Sequence, residues 1–159
     1  ILIYRIAVVD SALDAIVALS QADITVVRGL KTPTVSLKLN LEAMCLLKNI
    51  KPDRVPDPGG PSGGGQAKMV DDFWGPSKRI LGDPKFVENI AAFDKDSIPA
   101  KTAKVVREKY LSHAEVNPDK AKNTVPAVDS VTRALFRWVS AIDVYEKVRI
   151  SVVKFTWLE

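Results

Sequence analysis

The side chains that could carry acid–base or nucleophilic chemistry are few in this chain and have no partners near them in sequence. Catalysis of either kind needs a base or nucleophile that an orienting group holds in place. His113 is the only histidine and lies in a polar YLSHAEVNP segment without a Ser, Cys or Asp motif. The only cysteine, Cys45, lies in the apolar AMCLL segment, as is typical of a small core residue in a reduced protein. The sequence therefore predicts a protein that is not an enzyme.

The acidic and glycine-rich segments provide no ligand set for a metal or a nucleotide. Two pairs of acidic residues are close in sequence: Asp71 with Asp72, and Asp94 with Asp96. Aspartates also cap helices and form turns, and the spacing of a calcium loop does not follow either pair. The GGPSGGG segment is followed by Gln-Ala, where a phosphate-binding loop needs Gly-Lys-Ser/Thr. Without a Cys/His framework as well, we expect no catalytic residue, no metal and no cofactor.

Basic side chains are the more informative candidates. The 159 residues include 23 Lys and Arg against 19 Asp and Glu, a net charge of +4. This excess favours acidic surfaces but does not choose between nucleic acid, anionic lipid and acidic protein. Lys101, Lys104 and Arg107 recur about one helical turn apart along one edge, a pattern usually found on solvated faces. Arg133 and Arg137 stand at i and i+4, where like charges repel by roughly a few tenths of a kcal/mol, and an approaching acidic partner would explain that placement.

Two classes of partner are disfavoured by the placement of the apolar residues. A nucleic-acid binder interleaves its cations with exposed aromatic residues or presents a recognition helix, whereas the aromatic residues here lie on apolar stripes. The N-terminal ILIYRIAVVD segment is interrupted by an arginine and is too short to span a bilayer. We therefore expect no nucleic acid and no membrane among the partners. The chain lacks an initiator methionine and closes with Leu-Glu, so we expect an excised piece of a longer protein.

Helices at the two ends of the chain are expected to hold these candidates in place. One N-terminal series has the four-three spacing of a coiled-coil seam: Leu2, Ile6, Val9, Leu13 and Ile16. A second register also fits but places Asp10 and Ser20 in its seam: Ile3, Ile6, Leu13, Val17, Ile24 and Val27. The C-terminal series is Ala141, Tyr145, Val148, Val152 and Phe155. An antiparallel coiled coil and two amphipathic helices packed on a globular core fit about equally well, and β pairing of these Ile- and Val-rich ends is a minor alternative.

Between these ends the sequence predicts at least four short helical segments and one long loop. The first helix follows Lys31-Thr32-Pro33-Thr34, which supplies a cap and an early proline. Its apolar stripe is Leu37, Leu41, Met44, Cys45 and Leu47. Residues 51–71 contain four prolines and five glycines, which predicts a flexible flap. Gly82-Asp83-Pro84 is expected to be a turn, and Ser97-Ile98-Pro99 to open another helix. A last apolar series enters the C-terminal helix: Val128, Val131, Leu135, Trp138, Val139 and Ile142.

Six segments carry a distinctive order of aromatic, proline and basic residues, running nearly end to end from Asp10 to Val148. They are SALDAIVALSQADITVVRGLKTP, LKLNLEAMCLLKNIKPDRVPDP, DDFWGPSKRILGD, FDKDSIP, REKYL and RWVSAIDVYEKV. In this order they resemble the microtubule-binding domain at the stalk tip of dynein heavy chains. The KPDRVPDP and WGPSKRILGD segments resemble axonemal rather than cytoplasmic heavy chains, which lack the flap-like insertion.

This resemblance implies an all-α fold, in which a small multi-helix head with a Pro/Gly-rich flap insertion stands on a two-helix antiparallel coiled-coil stalk base. It divides the chain into an incoming stalk helix at residues 1–30, a head at 31–138 with the flap at 51–71, and an outgoing stalk helix at 139–159. The family hydrolyses ATP in a distant motor ring, so the domain itself is expected to be inert. Because the family couples sliding of the stalk register to tubulin affinity, the two N-terminal seams are a hypothesis for that switch.

The partner implied by the resemblance is α/β-tubulin in microtubules. The implied location is the cytoplasm, the cytoskeleton and the axoneme of a cilium or flagellum, where the heavy chain contributes to motility. Lys38 in LKLNLE, Arg107 in REKYL and Arg137 in RWV occupy places where the family has basic residues, so they are the first candidates for microtubule contacts. Further candidates rest mainly on nearby charge: Lys31, Lys95, Lys101, Lys104, Lys122 and Arg133. The alternative is an axonemal interaction module that binds a dynein light chain.

One of these candidates departs from the family pattern. Related chains commonly carry a small or acidic residue, within a Cys-containing stretch, at the position of Arg133. Here the stretch reads SVTRALFRW. The substitution is expected to alter the affinity for tubulin or to serve another partner.

Overall fold

The computed structural model of the chain describes residues 2–60 and 65–156, apart from the side chains of Leu2 and Arg5. Helices dominate this part of the chain. The α-helices are α1 (Leu2–Val17), α2 (Gln21–Arg28), α3 (Val35–Leu47), α4 (Trp74–Leu81), α5 (Phe86–Ala91), α6 (Ala100–Val105) and α7 (Pro126–Thr156). A π-helical turn, Val106–Leu111, continues α6, and two strands, β1 (Asp53–Pro56) and β2 (Met69–Asp72), lie between α3 and α4. The predicted all-α fold is confirmed, with this small hairpin as an addition.

A break between α1 and α2 decides which predicted seam is buried. In α1 the first series faces the core, since Val9 and Ile16 are buried. Beyond the break, residues of the second series face the core, since Ile24 and Val27 of α2 are buried. The break sits at Ser20, which caps α2 with its hydroxyl. Of the residues that both series share, Ile6 is exposed and Leu13 is partly buried. The other α1 positions of the second seam, Ile3, Asp10 and Val17, are exposed, as is Ser20. The side chain of Leu2 lies outside the described residues.

Helix α7 is the longest element of the described residues and packs against α1, α2 and α3. Its 31 residues make it about 46 Å long. It packs against α1, and Arg137 of α7 contacts Ser11 of α1. Ala141 and Tyr145 of its predicted seam are buried, while Val152 and Phe155 are exposed. Because both described termini are helical, the alternative of β pairing between them is wrong. Helix α7 passes residue 138 without interruption, and the predicted domain boundaries stay a prediction. The closing Leu-Glu pair lies outside the described residues.

The core lies between α3 and α7, as the apolar stripes predict. The predicted stripe of α3 is buried throughout, and so is the predicted apolar series of α7. Trp138 is 1% exposed and meets the ring of Phe93 edge to face, with the ring centroids 5.2 Å apart. Within residues 2–60 and 65–156, no helix is both long and apolar enough to cross a bilayer.

The base of the predicted flap is an antiparallel hairpin rather than a loop. The strands pair from Asp53 opposite Asp72 to Pro56 opposite Met69. Arg79 of α4 donates two hydrogen bonds to the Asp53 carboxylate, at 3.1 and 2.9 Å. A Cβ at Gly75 would lie 2.5 Å from Oδ2 of Asp53, so this glycine lets the hairpin approach α4 closely. The contacts between the strands and with α4 order this hairpin, which the composition alone did not predict. Residues 61–64 lie outside the described part.

Candidate functional site

The beginning of α3 lies beside the connection that leads into α7. Thr34 caps α3, because its Oγ1 accepts a hydrogen bond from the backbone nitrogen of Leu37 at 3.4 Å. The same hydroxyl donates to Oδ1 of Asn123 at 2.7 Å, although 89 positions separate the two residues in sequence. This hydrogen bond joins the segment that carries the exposed Lys31, Val35 and Lys38 to the segment that carries the exposed Lys122 and Val125. We call these five residues the α3/α7 surface.

Three of the predicted site residues therefore share one end of the head. Lys38 has a side chain that is 57% exposed, and its Nζ lies 3.9 Å from Oε1 of Glu42 one turn later. Such an exposed pair contributes little to stability and leaves the ammonium available to a partner. Lys31 and Lys122 are exposed and have no acidic partner in the part of the chain that the structure describes. The α3/α7 surface is consequently positive.

Arg133 is also at this end of α7, but its charge is neutralised within the chain. Its Nε donates to Oδ2 of Asp129 at 2.7 Å, and its Nη1 donates to Oδ1 of Asp119 at 2.5 Å. Hydrogen bonds to Asp119 and then to Asp129 raise the pKa of the Arg133 guanidinium above its ordinary value. The sequence led us to expect an acidic partner molecule there to offset the repulsion from Arg137. Two carboxylates of the chain itself now offset it.

Arg107 is likewise paired with a carboxylate of the chain and is only partly exposed. It lies in the π-helical turn, where hydrogen bonds from i to i+5 change the direction of successive side chains. Its Nε donates to Oδ1 of Asp143 on α7 at 2.8 Å, and Lys147 approaches the other oxygen of that carboxylate at 2.9 Å. Lys101 and Lys104 on α6 remain exposed. The predicted edge is thus reduced to these two lysines.

The last two predicted cations lie away from the α3/α7 surface. Nη2 of Arg137 donates to Oγ of Ser11 at 3.4 Å, which places this guanidinium against α1. Nζ of Lys95 lies 5.3 Å from the centre of the Tyr145 ring, a cation–π geometry. The predicted contact residues therefore occupy several separate surfaces, and their role in binding stays a prediction.

A groove of about 440 Å³ separates α1 from α7 next to Arg137. Its walls are mostly apolar, with three polar side chains among them. They consist of Tyr4, Ala7, Val8, Ser11, Ala12, Phe136, Arg137, Ser140, Ala141 and Val144. The groove is open to solvent along the two helices.

The residues considered for catalysis are dispersed. Cys45 is buried with its Sγ 3.5 Å from Oγ of Ser77, and burial raises the pKa of its thiol, which disfavours the reactive thiolate. His113 is exposed, and its Nδ1 accepts a hydrogen bond from the backbone nitrogen of Glu115. Outside residues 1, 61–64 and 157–159, no three His, Cys, Asp or Glu side chains are grouped so that they could hold a metal ion.

The arrangement of helices matches a solved structure described as the microtubule binding domain of dynein-c. The TM-score is 0.70 at 33% sequence identity, and the match covers 92% of this chain and 88% of that chain. The chain belongs to the dynein microtubule-binding domains.

Curated relatives place this dynein domain among the axonemal heavy chains, as its motifs predicted. It is 42% identical to human dynein axonemal heavy chain 3 over 139 residues, or 87% of the chain. It is 34% identical to human dynein axonemal heavy chain 1 over 135 residues, or 84% of the chain. The chain spans about 3% of the length of either relative, and this part is the microtubule-binding domain rather than the ATPase ring. No protein-family model matches it.

Sequence reasoning missed the intramolecular partners of the dynein domain's arginines. One of them could have been found, because Asp129 stands four residues before Arg133, the spacing at which helix side chains meet. Asp143 is 36 positions from Arg107 and on another helix, so no local spacing links the two. The exposed valines of the α3/α7 surface were missed as well, since only the fold joins the segments that carry Val35 and Val125, through the Thr34–Asn123 hydrogen bond.

Proposed function

We propose that this domain binds microtubules as part of an axonemal dynein heavy chain, in the axoneme of a cilium or flagellum. The observation that carries the proposal is its likeness to the dynein-c microtubule binding domain over nearly the full length of both chains. The α3/α7 surface is the proposed contact, because it gathers Lys31, Lys38 and Lys122 without strong acidic partners. Of the other predicted contacts, Arg107 would have to leave Asp143 to reach tubulin.

The chemistry of such a contact is that of exposed cations facing an acidic protein. Long-range attraction raises the rate of encounter and orients the two surfaces, whereas each exposed ion pair contributes little by itself. Salt screens this attraction, with a Debye length of about 10 Å at 0.1 M ionic strength. Binding through the α3/α7 surface is therefore expected to be strongly salt-dependent.

Co-sedimentation with taxol-stabilised microtubules tests the proposal directly. The chain is expected to pellet with microtubules at low ionic strength and to remain largely in the supernatant at several times that salt concentration. A parallel spin without microtubules controls for aggregation. Absence of pelleting at low salt, or pelleting that salt does not change, would contradict the proposal.

We further propose that the affinity for microtubules depends on the register between α1 and α7, and that this coupling contributes to ciliary motility. Two observations support it. Helix α7 runs unbroken from the α3/α7 surface along α1, so a shift at one end reaches the other through a rigid element. Helix α1 carries members of both predicted seams: Val9 and Ile16 of the first are buried, whereas Ile3 and Val17 of the second are exposed and are available to a second register.

Disulfide crosslinks can hold α1 in two registers. One double variant combines Ser11→Cys with Ser140→Cys, and the other combines Ala7→Cys with Ser140→Cys. The α1 cysteines of the two variants are one helical turn apart, and all three positions line the same groove. Cys45 is buried and therefore does not compete for these pairs. We expect the two oxidised variants to differ in microtubule affinity in co-sedimentation, and to become alike after reduction. Equal affinities of the two oxidised forms would rule out register coupling in this domain.

Two other predictions accompany this proposal. The domain is proposed to be catalytically inert by itself, with ATP hydrolysis carried out elsewhere in the heavy chain.

An axonemal light chain is the second candidate partner, and the apolar groove between α1 and α7 favours it, since Phe136 and Val144 line a surface that another protein could cover. Pelleting with microtubules made only of purified tubulin would show that the first function does not need this second partner.

A further inference from the structure

Two exposed valines lie among the lysines of the α3/α7 surface. Val35 is 50% exposed and Val125 is 43% exposed. Val35 follows Thr34 directly, and Val125 lies two residues after Asn123, so both flank the hydrogen bond that joins these two segments. A single exposed valine is ordinary on a protein surface. Here two exposed valines flank one tertiary hydrogen bond, and each is three or four positions in sequence from an exposed lysine.

Neither valine is needed at its position for the local backbone. Val35 begins α3 directly after its Thr34 cap, and Val125 precedes the first residue of α7. Polar residues such as serine and threonine are favoured at helix beginnings, and a branched apolar residue gains nothing there from capping. The helices of the head do not cover these side chains either. Local folding therefore gives no reason for apolar residues at these two places.

An apolar centre with a charged rim is the arrangement of a protein-binding surface. The three nearby lysines are exposed, and Lys38 alone among them has an acidic neighbour in the described part of the chain, Glu42 at 3.9 Å. This positive charge fits an acidic partner and disfavours a basic one. A second copy of this chain would bring the same lysines into opposition and is disfavoured for that reason. Charge complementarity and position thus select the acidic surface of a microtubule as the occupant, and the inference rests on the proposed function.

We infer that Val35 and Val125 form a salt-insensitive apolar contact with tubulin at the centre of the α3/α7 surface. The lysines orient the approach and give the binding its dependence on salt, because their attraction is screened. The valines act only after contact, when their exposed area is removed from water, and this contribution does not depend on ionic strength to first order. The two kinds of side chain therefore have separable effects on binding.

The test uses a double variant that carries both Val35→Ser and Val125→Ser. Its binding is compared with that of the native chain and of the single variant Val26→Ser. Val26 lies on α2, is 44% exposed and is not part of the α3/α7 surface, so it is the matched control. Removing two half-exposed valines from a contact is expected to raise the Kd for microtubules about tenfold, from roughly half of the free energy of burying each side chain. The factor should be the same at low and raised salt. Val26→Ser should leave the Kd unchanged.

Thermal unfolding of all variants checks that they are folded, and serine at the beginning of a helix should not lower the melting temperature. If the double variant binds within twofold of Val26→Ser, the inferred apolar contact is wrong while microtubule binding stands. A factor that disappears at raised salt would also overturn it, because the valines would then act through the charges. If the native chain does not pellet at all, the proposed function fails, and the inference fails with it.

Discussion

Lys38→Glu combined with Lys122→Glu is expected to weaken microtubule binding by about 10-fold to 1000-fold at low ionic strength, the range by which charge steering changes association. Each reversal removes two units of positive charge, so the net charge falls from +4 to 0. The two residues stand on either side of the Thr34–Asn123 hydrogen bond, and the variant therefore turns the sign of the α3/α7 surface. Co-sedimentation over a series of microtubule concentrations, at two salt concentrations, measures the effect.

A control of equal charge separates the local effect from the net charge. Lys85→Glu with Lys154→Glu also lowers the net charge to 0, at exposed positions before α5 and near the end of α7. This variant should bind more weakly than the native chain by much less than the first, and its slope of log affinity against log salt should be closer to the native value. Equal losses in the two double variants would place the contact outside the α3/α7 surface.

Trp138→Ala is expected to lower the free energy of unfolding by about 3–5 kcal/mol, the usual cost of emptying a buried tryptophan site. The side chain is 1% exposed and packs edge to face with Phe93, so its removal loses apolar burial, an aromatic contact and packing around a cavity. Since domains are stable by only about 5–15 kcal/mol in total, a large part of the stability would be lost. Urea unfolding, followed by circular dichroism, measures the difference.

Phe155→Ala is the matched aromatic control for this prediction. Phe155 is 74% exposed on α7, so its removal should change the unfolding free energy by less than about 0.5 kcal/mol. A similar loss in both variants would mean that the region around Trp138 is not the packed centre of the domain. If the Trp138→Ala variant is folded and binds microtubules with native affinity, Trp138 contributes to stability and not to the microtubule contact.

The elements themselves were largely predictable because their signals are local. Thr34 at the head of an apolar stripe marked the start of α3, and Gly82-Asp83-Pro84 marked the turn between α4 and α5, as the structure has them. The apolar face of α7 around Trp138 followed from its spacing. The hairpin of residues 53–72 did not follow, because short strands rich in Asp and Pro are ordered by their cross-strand partners and by Arg79 of α4.

The sequence by itself determined the family, the helical architecture and the basic excess of this domain, since ordered motifs and apolar spacing are properties of the chain read along its length. Only the tertiary structure decided which cations are available. It paired Arg107 with Asp143 and Arg133 with Asp119, and it left Lys38 and Lys122 exposed on two segments that the Thr34–Asn123 hydrogen bond joins. The physical reason is that the availability of a charge depends on its nearest opposite charge in space. Residues tens of positions apart become neighbours only when the helices pack.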